Sequence, residues 1–174
     1  MLINENTLAE QLSEQRRSVD FDTFDITLRE LLSMLKDRAI DIAPVYQRQF
    51  RWDQTRCSQL IESIFLGIPV PSLFMATNAD GTWELVDGVQ RLSTIVKFMA
   101  EGALRSTLKV GSPLTLEGLE KLTEFNGVAY LDLPRPTQMA LGMRPLKVIT
   151  LSDKSDPIVR YDLFERLNRG GVTL

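Results

Sequence analysis

The 174-residue sequence contains no histidine and only one cysteine, Cys57. Without histidine, these residues cannot form a Ser–His or Cys–His nucleophilic dyad, an imidazole metal ligand or an HNH-type nuclease centre. A lone cysteine cannot form an intrachain disulfide, which favours a reducing, cytoplasmic environment. The chemistry that remains uses carboxylates, amides and arginines, and it suits phosphate binding better than bond cleavage.

The sequence also lacks an apolar run near the ~18 residues that a membrane span requires, so no membrane partner is expected. It has no Gly-x-x-x-x-Gly-Lys-Ser/Thr phosphate loop and no secretion signal at its start. A net charge of −3 excludes a global basic field, so any contact with nucleic acid needs a local patch. With 44% apolar and 25% charged residues, the composition is typical of a soluble globular protein. We expect an N-terminal arm over residues 1–19 and one domain over residues 20–174, as the front part of a longer protein.

The most informative stretch runs from Trp83 to Met99 and predicts a short strand, a turn and an amphipathic helix. We expect Asp87 to cap this helix and Gly102 to end it. Gly88 would let a ligand approach the backbone, while Arg91 and the N–H groups of the first helical turn would hold an anion such as a phosphate. Taken alone, the pattern favours an ordinary Asp-Gly turn followed by a solvated arginine. The motifs elsewhere in the chain decide between a phosphate-binding turn and an ordinary turn.

A second stretch, residues 44–52, interleaves Arg48 and Arg51 with three aromatic residues, the last of them Trp52. Such a loop can meet a nucleotide or a nucleic-acid backbone. Alternatively, its aromatic rings anchor the loop to the core and its arginines are solvated. The two interpretations are about even for the aromatic residues, whereas the neighbouring Gln47 favours a functional role for Arg48.

The third stretch lies at the end of the chain. Asp156 and Pro157 are expected to begin a helix that stops at Asn168, where Gly170 and Gly171 would complete a donor-rich turn. A simple glycine-terminated helix explains the same residues.

The rest of the pattern predicts further elements. Asp53 should cap a helix that Gly67 ends, with Cys57 as a small buried residue inside it. Thr27 and Glu30 form a capping box. Strands are expected near residues 19–25, 40–42, 72–76 and 146–151, a polar strand near 104–110, and helices over 116–124 and 136–142.

Four motifs occur in a fixed order along the chain. They are Pro-x-Tyr-Gln-Arg-x-Phe-x-Trp from Pro44, Gly-Ile-Pro-x-Pro from Gly67, Val-Asp-Gly-x-Gln-Arg-Leu-x-Thr-Ile from Val86, and Phe-x-Arg-Leu-Asn-x-Gly-Gly-x-x-Leu from Phe164. Together they resemble the N-terminal domain of GmrSD-type modification-dependent restriction proteins, in the ParB/sulfiredoxin-like superfamily. The resemblance implies an α+β fold, with a small mixed sheet flanked by helices and a nucleotide pocket.

The resemblance also implies roles for individual residues. It puts the phosphates of a nucleoside triphosphate on Gly88 and Arg91, and surrounds the nucleotide with Gln47, Arg48, Asn168, Gly170 and Gly171. Mg²⁺ is expected with the nucleotide, and GTP is the first candidate. The candidate catalytic residues are Asp87, Gln90 and Arg91, and among the possible hydrolytic groups the sequence does not choose between Glu84, Asp87 and Gln90 for positioning water.

The chain departs from the related motifs at Val89. Sulfiredoxin chemistry needs a cysteine in this turn, so reduction of sulfinic acids is not expected. The family's own turn often carries glutamine where Val89 stands, so hydrolysis of the nucleotide is left open.

Two hypotheses follow. In the preferred one, the domain is a nucleotide-binding, NTPase-like regulatory part of a phage-defence or modification-dependent restriction system. It would act with a C-terminal nuclease-type module, fused or separate, that reaches DNA, and a homodimer is one candidate assembly. In the alternative, the domain is a DNA-binding module. Arg48, Arg51, Trp52 and Arg56 would then contact phosphates and a modified or flipped base without nucleotide turnover.

Overall fold

The computed structural model describes residues 2–17, 20–42, 52–152 and 156–170 of the chain. These residues form seven helices and a five-stranded mixed sheet. The helices are α1 (Glu5–Arg17), α2 (Leu28–Lys36), α3 (Gln54–Leu66), α4 (Val89–Met99), α5 (Gly102–Leu108), α6 (Arg135–Gly142) and α7 (Pro157–Gly170). The strands are β1 (Phe21–Thr27), β2 (Ile40–Asp41), β3 (Leu73–Thr77), β4 (Trp83–Asp87) and β5 (Pro145–Leu151). This architecture confirms the predicted α+β class.

The strand order across the sheet is β1-β5-β3-β4-β2. The pairs β1–β5 and β3–β4 are antiparallel, whereas β3–β5 and β2–β4 are parallel. Consequently β2 and β4 end at the edge of the sheet where β3 and β5 begin. We call this the site edge, because the Asp87–Gly88 turn follows β4 there.

The helix boundaries at two of the predicted caps are confirmed. The Thr27 hydroxyl accepts a hydrogen bond from the Glu30 N–H at 3.2 Å and begins α2. The Asp53 carboxylate accepts one from the Arg56 N–H at 2.8 Å and begins α3. Helix α3 ends at Gly67, whose φ of 73° is the left-handed conformation that glycine adopts at least cost.

The central strands are covered on both faces. Side chains on one face join the core formed with α2, α3 and α4, namely Leu73, Met75, Leu85 and Val148. Three residues at alternate positions, and therefore on the other face, are buried as well: Ala76, Val86 and Leu151. Helix α7 contacts β4, and Arg160 in its first turn donates a hydrogen bond to the Thr77 carbonyl at 3.1 Å. The sheet that carries the site edge is therefore packed on both faces.

The strand predicted near residues 104–110 is wrong, because Gly102–Leu108 forms helix α5. The guanidinium group of Arg105 holds this segment by donating to the carbonyls of Lys97, Ala100 and Gly111. Gly102 begins α5 and does not end α4, which stops at Met99 because Ala100 has an extended backbone.

The helix predicted over residues 116–124 is also wrong, because only Thr123–Phe125 forms a single 3-10 turn there. Long-range side chains bind the backbone groups that a helix would use. The Glu62 carboxylate accepts from the N–H groups of Lys121 and Leu122 at 3.1 and 2.9 Å, and the Asn126 amide bonds both the N–H and the carbonyl of Leu119. These hydrogen bonds keep the segment from forming a helix, although its leucines have helical spacing.

The remaining predicted elements are found with small shifts of their ends. The predicted edge strand is β1, and the strands expected near residues 40–42, 72–76 and 146–151 are β2, β3 and β5. Helix α7 begins at Pro157 as predicted but continues through Asn168 to Gly170. None of the described helices has the length and apolar character needed to cross a membrane.

Candidate functional site

The turn between β4 and α4 lies at the site edge, beside the start of β3. Gly88 makes this turn with a φ of 108° and is buried. A Cβ atom added to Gly88 would lie 2.5 Å from Leu73 Cδ2 and 3.2 Å from Arg91 Nη2. Glycine is therefore required at position 88 for two reasons. It adopts this backbone conformation at low cost, and its lack of a side chain allows the close approach of β3.

Arg91 lies in the first turn of α4 and points back toward the sheet. Its Nη2 donates a hydrogen bond to the Ser72 carbonyl at 2.9 Å and lies 3.6 Å from Asp87 Oδ2. Only 15% of its side chain is exposed. Among the described residues, its buried Nε has no hydrogen-bond partner. Arg91 is thus a largely buried cation that the described residues satisfy only in part.

The surroundings of Arg91 also affect its titration. Burial lowers the pKa of the Arg91 guanidinium, and the nearby carboxylate of Asp87 partly opposes this change. A guanidinium group stays charged even so, because its ordinary pKa is far above neutral pH. A desolvated positive charge of this kind attracts an anion more strongly than a solvated one.

Asp87 does not cap α4, contrary to our prediction. The residue before the helix is Gly88, which has no side chain to offer, and the Asp87 carboxylate faces Arg91 instead. The physical reason is that Asp87 is still the last residue of β4, so its side chain direction follows the strand. In the part of the chain that the structure describes, the N-terminus of α4 therefore has no side-chain cap, which leaves its positive end available to an anion.

Gln90 connects this turn to the start of α3. Its side-chain oxygen accepts a hydrogen bond from the Trp52 N–H at 3.1 Å. The Trp52 carbonyl lies 4.0 Å from Cys57 Sγ, and Thr94 Oγ1 lies 3.3 Å from the same sulfur and 2.7 Å from the Gln90 carbonyl. These four residues form a closed ring of polar contacts that fixes Trp52 beside the turn.

Arg56 and Trp52 form a second feature near the same helix start. The guanidinium carbon of Arg56 lies 4.6 Å from the centre of the Trp52 ring, a cation–π contact on an exposed arginine. The pair was predicted as a nucleic-acid contact, and nothing in the structure tests that role.

Several predicted site residues are not described. Gln47, Arg48, Arg51 and Gly171 lie outside the described residues, and Asn168 and Gly170 are described only as helical backbone in α7. The roles of these six residues stay predictions.

Cys57 is predicted to react slowly. It is 1% exposed, and burial raises the pKa of its thiol, with a smaller opposing effect of the Thr94 hydrogen bond. A raised pKa means less thiolate at a given pH, and thiolate is the reactive form. At pH 8 we expect a thiol reagent such as DTNB to modify Cys57 about a hundredfold more slowly than in the urea-unfolded chain.

A Gln59→Cys variant is the matched control for this experiment. Gln59 is exposed on the same helix, so the variant should release one thiol equivalent quickly and one slowly. Fast modification of Cys57 in the wild-type protein would contradict the closed ring of contacts around it.

Taken together, these observations define a mixed α+β domain with a glycine turn, a partly satisfied buried arginine and an uncapped helix start at one edge of its sheet. The chain belongs to the family of GmrSD restriction endonuclease N-terminal domains, whose model matches residues 28–174. This membership makes it a component of a restriction system. No curated protein and no solved structure matches the chain. The wider ParB/sulfiredoxin-like relationship therefore stays a prediction.

The sequence did not indicate every residue that builds the site. Ser72 and Leu73 hold Arg91 and restrict Gly88, and Thr94 and Cys57 close the ring around Trp52. The signal for the first pair was the Gly-Ile-Pro-x-Pro motif, because it ends immediately before Ser72. In the second pair, Thr94 belongs to the motif that begins at Val86, whereas no local pattern marked Cys57, which looked like an ordinary residue of a helix interior.

Proposed function

We propose that this domain binds a nucleoside triphosphate with Mg²⁺ at the Asp87–Arg91 turn and regulates a restriction system through it. The observation that carries the proposal is Arg91: a guanidinium group with 15% side-chain exposure and an unsatisfied Nε among the described residues, at the start of an uncapped helix. Positive helix ends and arginine are the groups that proteins use to hold phosphate.

The proposed binding mode follows from the charges at the turn. A phosphate beside Arg91 would also lie near the Asp87 carboxylate, which is 3.6 Å from the same guanidinium. The phosphate and the carboxylate would then share the one positive charge of Arg91, so balancing both anions requires additional positive charge. Mg²⁺ supplies that charge, and it is commonly held by one carboxylate together with substrate phosphates. We assign this carboxylate to Asp87.

Gln90 is less suited than Asp87 to act on water. Its side-chain oxygen already accepts the hydrogen bond from Trp52. Asp87 lies in the turn itself and keeps its carboxylate beside Arg91. If the nucleotide is hydrolysed, we propose that Asp87 positions the water and that Gln90 holds Trp52 beside the turn.

Cleavage of DNA belongs in this proposal to a different module. The matched family is described as the N-terminal domain of a restriction endonuclease. The chain itself has no histidine, which excludes an HNH centre within it. We propose that a C-terminal nuclease module, fused or separate, cuts DNA and that the nucleotide state of this domain controls it.

Nucleotide binding can be tested by thermal unfolding with GTP, ATP, CTP or UTP in the presence of Mg²⁺. A ligand at 100 times its Kd that binds only the folded state adds about 2.7 kcal/mol, which raises the Tm of a domain of this size by roughly 5–10 °C. We expect such a shift with one nucleotide. Arg91→Gln should abolish the shift, measured against its own Tm without nucleotide.

Arg135→Gln is the control, because Arg135 is an exposed arginine at the start of α6. It should keep the full shift. The absence of a shift with all four nucleotides would overturn the proposal, as would an equal loss in both variants.

A further inference from the structure

A cavity lies at the C-terminal end of α4, away from the Asp87–Arg91 turn. Its volume is about 200 Å³, and it lies between α2, the end of α4, the 3-10 turn Tyr130–Asp132 and α6. Met99, the last residue of α4, lines it, whereas Val89 begins the same helix at the turn. An 11-residue helix separates its two ends by about 15 Å. The cavity is therefore a separate site.

The floor of this cavity is apolar and adaptable. Leu32, Met99 and Met139 line it, and the Tyr130 ring packs edge-on against Phe98 with 5.7 Å between ring centres. Methionine side chains adjust to the shape of a ligand more readily than branched side chains do. A cavity of 150 Å³ with apolar walls holds a benzene molecule, so about 200 Å³ accommodates one ring or one leucine-sized group. A nucleotide is too large for it.

The polar groups at the cavity are few and have definite positions. The Gln138 amide nitrogen donates to the carbonyls of Tyr130 and Leu133 at 3.1 and 3.0 Å, which fixes the orientation of the amide group. Burial raises the pKa of the Tyr130 hydroxyl, Glu101 adds to the rise and Arg29 opposes it. The hydroxyl is therefore a neutral hydrogen-bond donor at neutral pH.

Of the described residues, Arg29 is the only cation that lines the cavity. Within the described part of the chain, its guanidinium group makes no hydrogen bond or ion pair. Its Cβ lies 3.6 Å from the position that a Cβ on Gly142 would occupy, so the base of the side chain is packed against α6. Arg29 lines the cavity with an exposed side chain, and its guanidinium fork can bind a carboxylate in a planar, bidentate manner.

One residue that lines the cavity and two residues next to lining residues in the chain have exposed apolar side chains. Leu131 next to Tyr130, Met139 in the wall and Met143 next to Gly142 are 69%, 44% and 59% exposed. Exposed apolar side chains that group around a cavity are typical of a binding site.

We propose that this cavity binds a small organic acid with one ring-sized or leucine-sized apolar group and one carboxylate. The apolar group fills the space between Leu32, Met99 and Met139, and the carboxylate pairs with Arg29. Charge complementarity selects the acid, because Arg29 is the charged residue among the described residues that line the cavity.

The probe for this proposal is N-acetyl-L-phenylalanine, with its uncharged amide, N-acetyl-L-phenylalaninamide, as the ligand control. Binding is followed by NMR of the methionine methyl groups, of which the chain has six. We expect the acid to shift the Met99 and Met139 signals and to leave Met75, which is buried in the sheet, unchanged. The amide should bind about tenfold more weakly, since it cannot form the ion pair.

Arg29→Gln should weaken binding of the acid about tenfold and leave binding of the amide unchanged. Arg135→Gln, the matched arginine control on α6, should change neither. Equal affinity for acid and amide, or no shift of Met99 and Met139 at saturating acid, would overturn the assignment. Tenfold tighter binding of N-acetyl-Gly-Gly-Phe would also overturn it, because the site would then recognise the end of a protein chain.

Discussion

Replacing Gly88 with alanine is expected to destabilise the protein by about 2–5 kcal/mol. The added Cβ would lie 2.5 Å from Leu73 Cδ2, and a φ of 108° is a conformation that alanine adopts only with strain. Leu73 is fully buried at the start of β3, so it cannot move away without disturbing the core. Urea unfolding followed by circular dichroism measures the change in the free energy of unfolding.

Gly81→Ala separates the two causes. Gly81 has a similar φ of 86° in the β3–β4 hairpin, but nothing lies within 4 Å of the position of its Cβ. Alanine there is expected to cost only the backbone strain, about 1–2 kcal/mol. Equal losses for the two variants would mean that the close approach of Leu73 contributes nothing.

Replacing Phe98 with alanine is expected to cost about 3–5 kcal/mol. Phe98 is 2% exposed, lies in the last turn of α4 and packs against the Tyr130 ring. Its removal leaves a cavity between α4 and the segment around Tyr130 that the neighbouring side chains can only partly fill. The measurement is again the free energy of unfolding in urea.

Phe21→Ala is the matched control, because it removes the same side chain from a position that is 40% exposed on the edge strand β1. We expect a loss of about 1 kcal/mol, since much of the ring is already in contact with water. A loss at Phe21 as large as that at Phe98 would show that burial does not control the cost.

The two ends of α4 therefore contribute to the protein in different ways. At its start, Gly88 and Arg91 form a close-packed turn with an incompletely satisfied positive charge. At its end, Phe98 and Met99 support the cavity beside Tyr130. If both proposals hold, one rigid helix carries two binding sites, and the Arg91 and Arg29 variants test them independently.

Prediction from the sequence succeeded where a signal is local. The Thr27 and Asp53 caps, the left-handed Gly67 and the turn at Gly88 each depend on a few neighbouring residues, and all four are confirmed. It failed over residues 116–124, where leucines have helical spacing. There, the side chains of Glu62 and Asn126 bind the backbone groups and keep the segment from forming a helix.

The residues around the candidate site illustrate the same limit. Sequence motifs identified Asp87, Gly88, Gln90 and Arg91, but they gave Asp87 a capping role that it does not have. The contact of Arg91 with Ser72 spans 19 residues, and that of Gln90 with Trp52 spans 38. Such partners have no fixed spacing, so no periodicity reveals them.

The sequence by itself determined the α+β class, most helix starts, the glycine turn and the family, because each depends on local conformational preference or on the order of motifs. Only the tertiary structure decided that Arg91 turns toward Ser72 and Asp87, that Gln90 holds Trp52, and that Arg29 overlies an apolar cavity. The physical reason is that these arrangements are set by how buried polar groups find partners across the packed elements. Buried polar groups gain these partners only in the folded protein, because in an isolated segment water can satisfy the same groups.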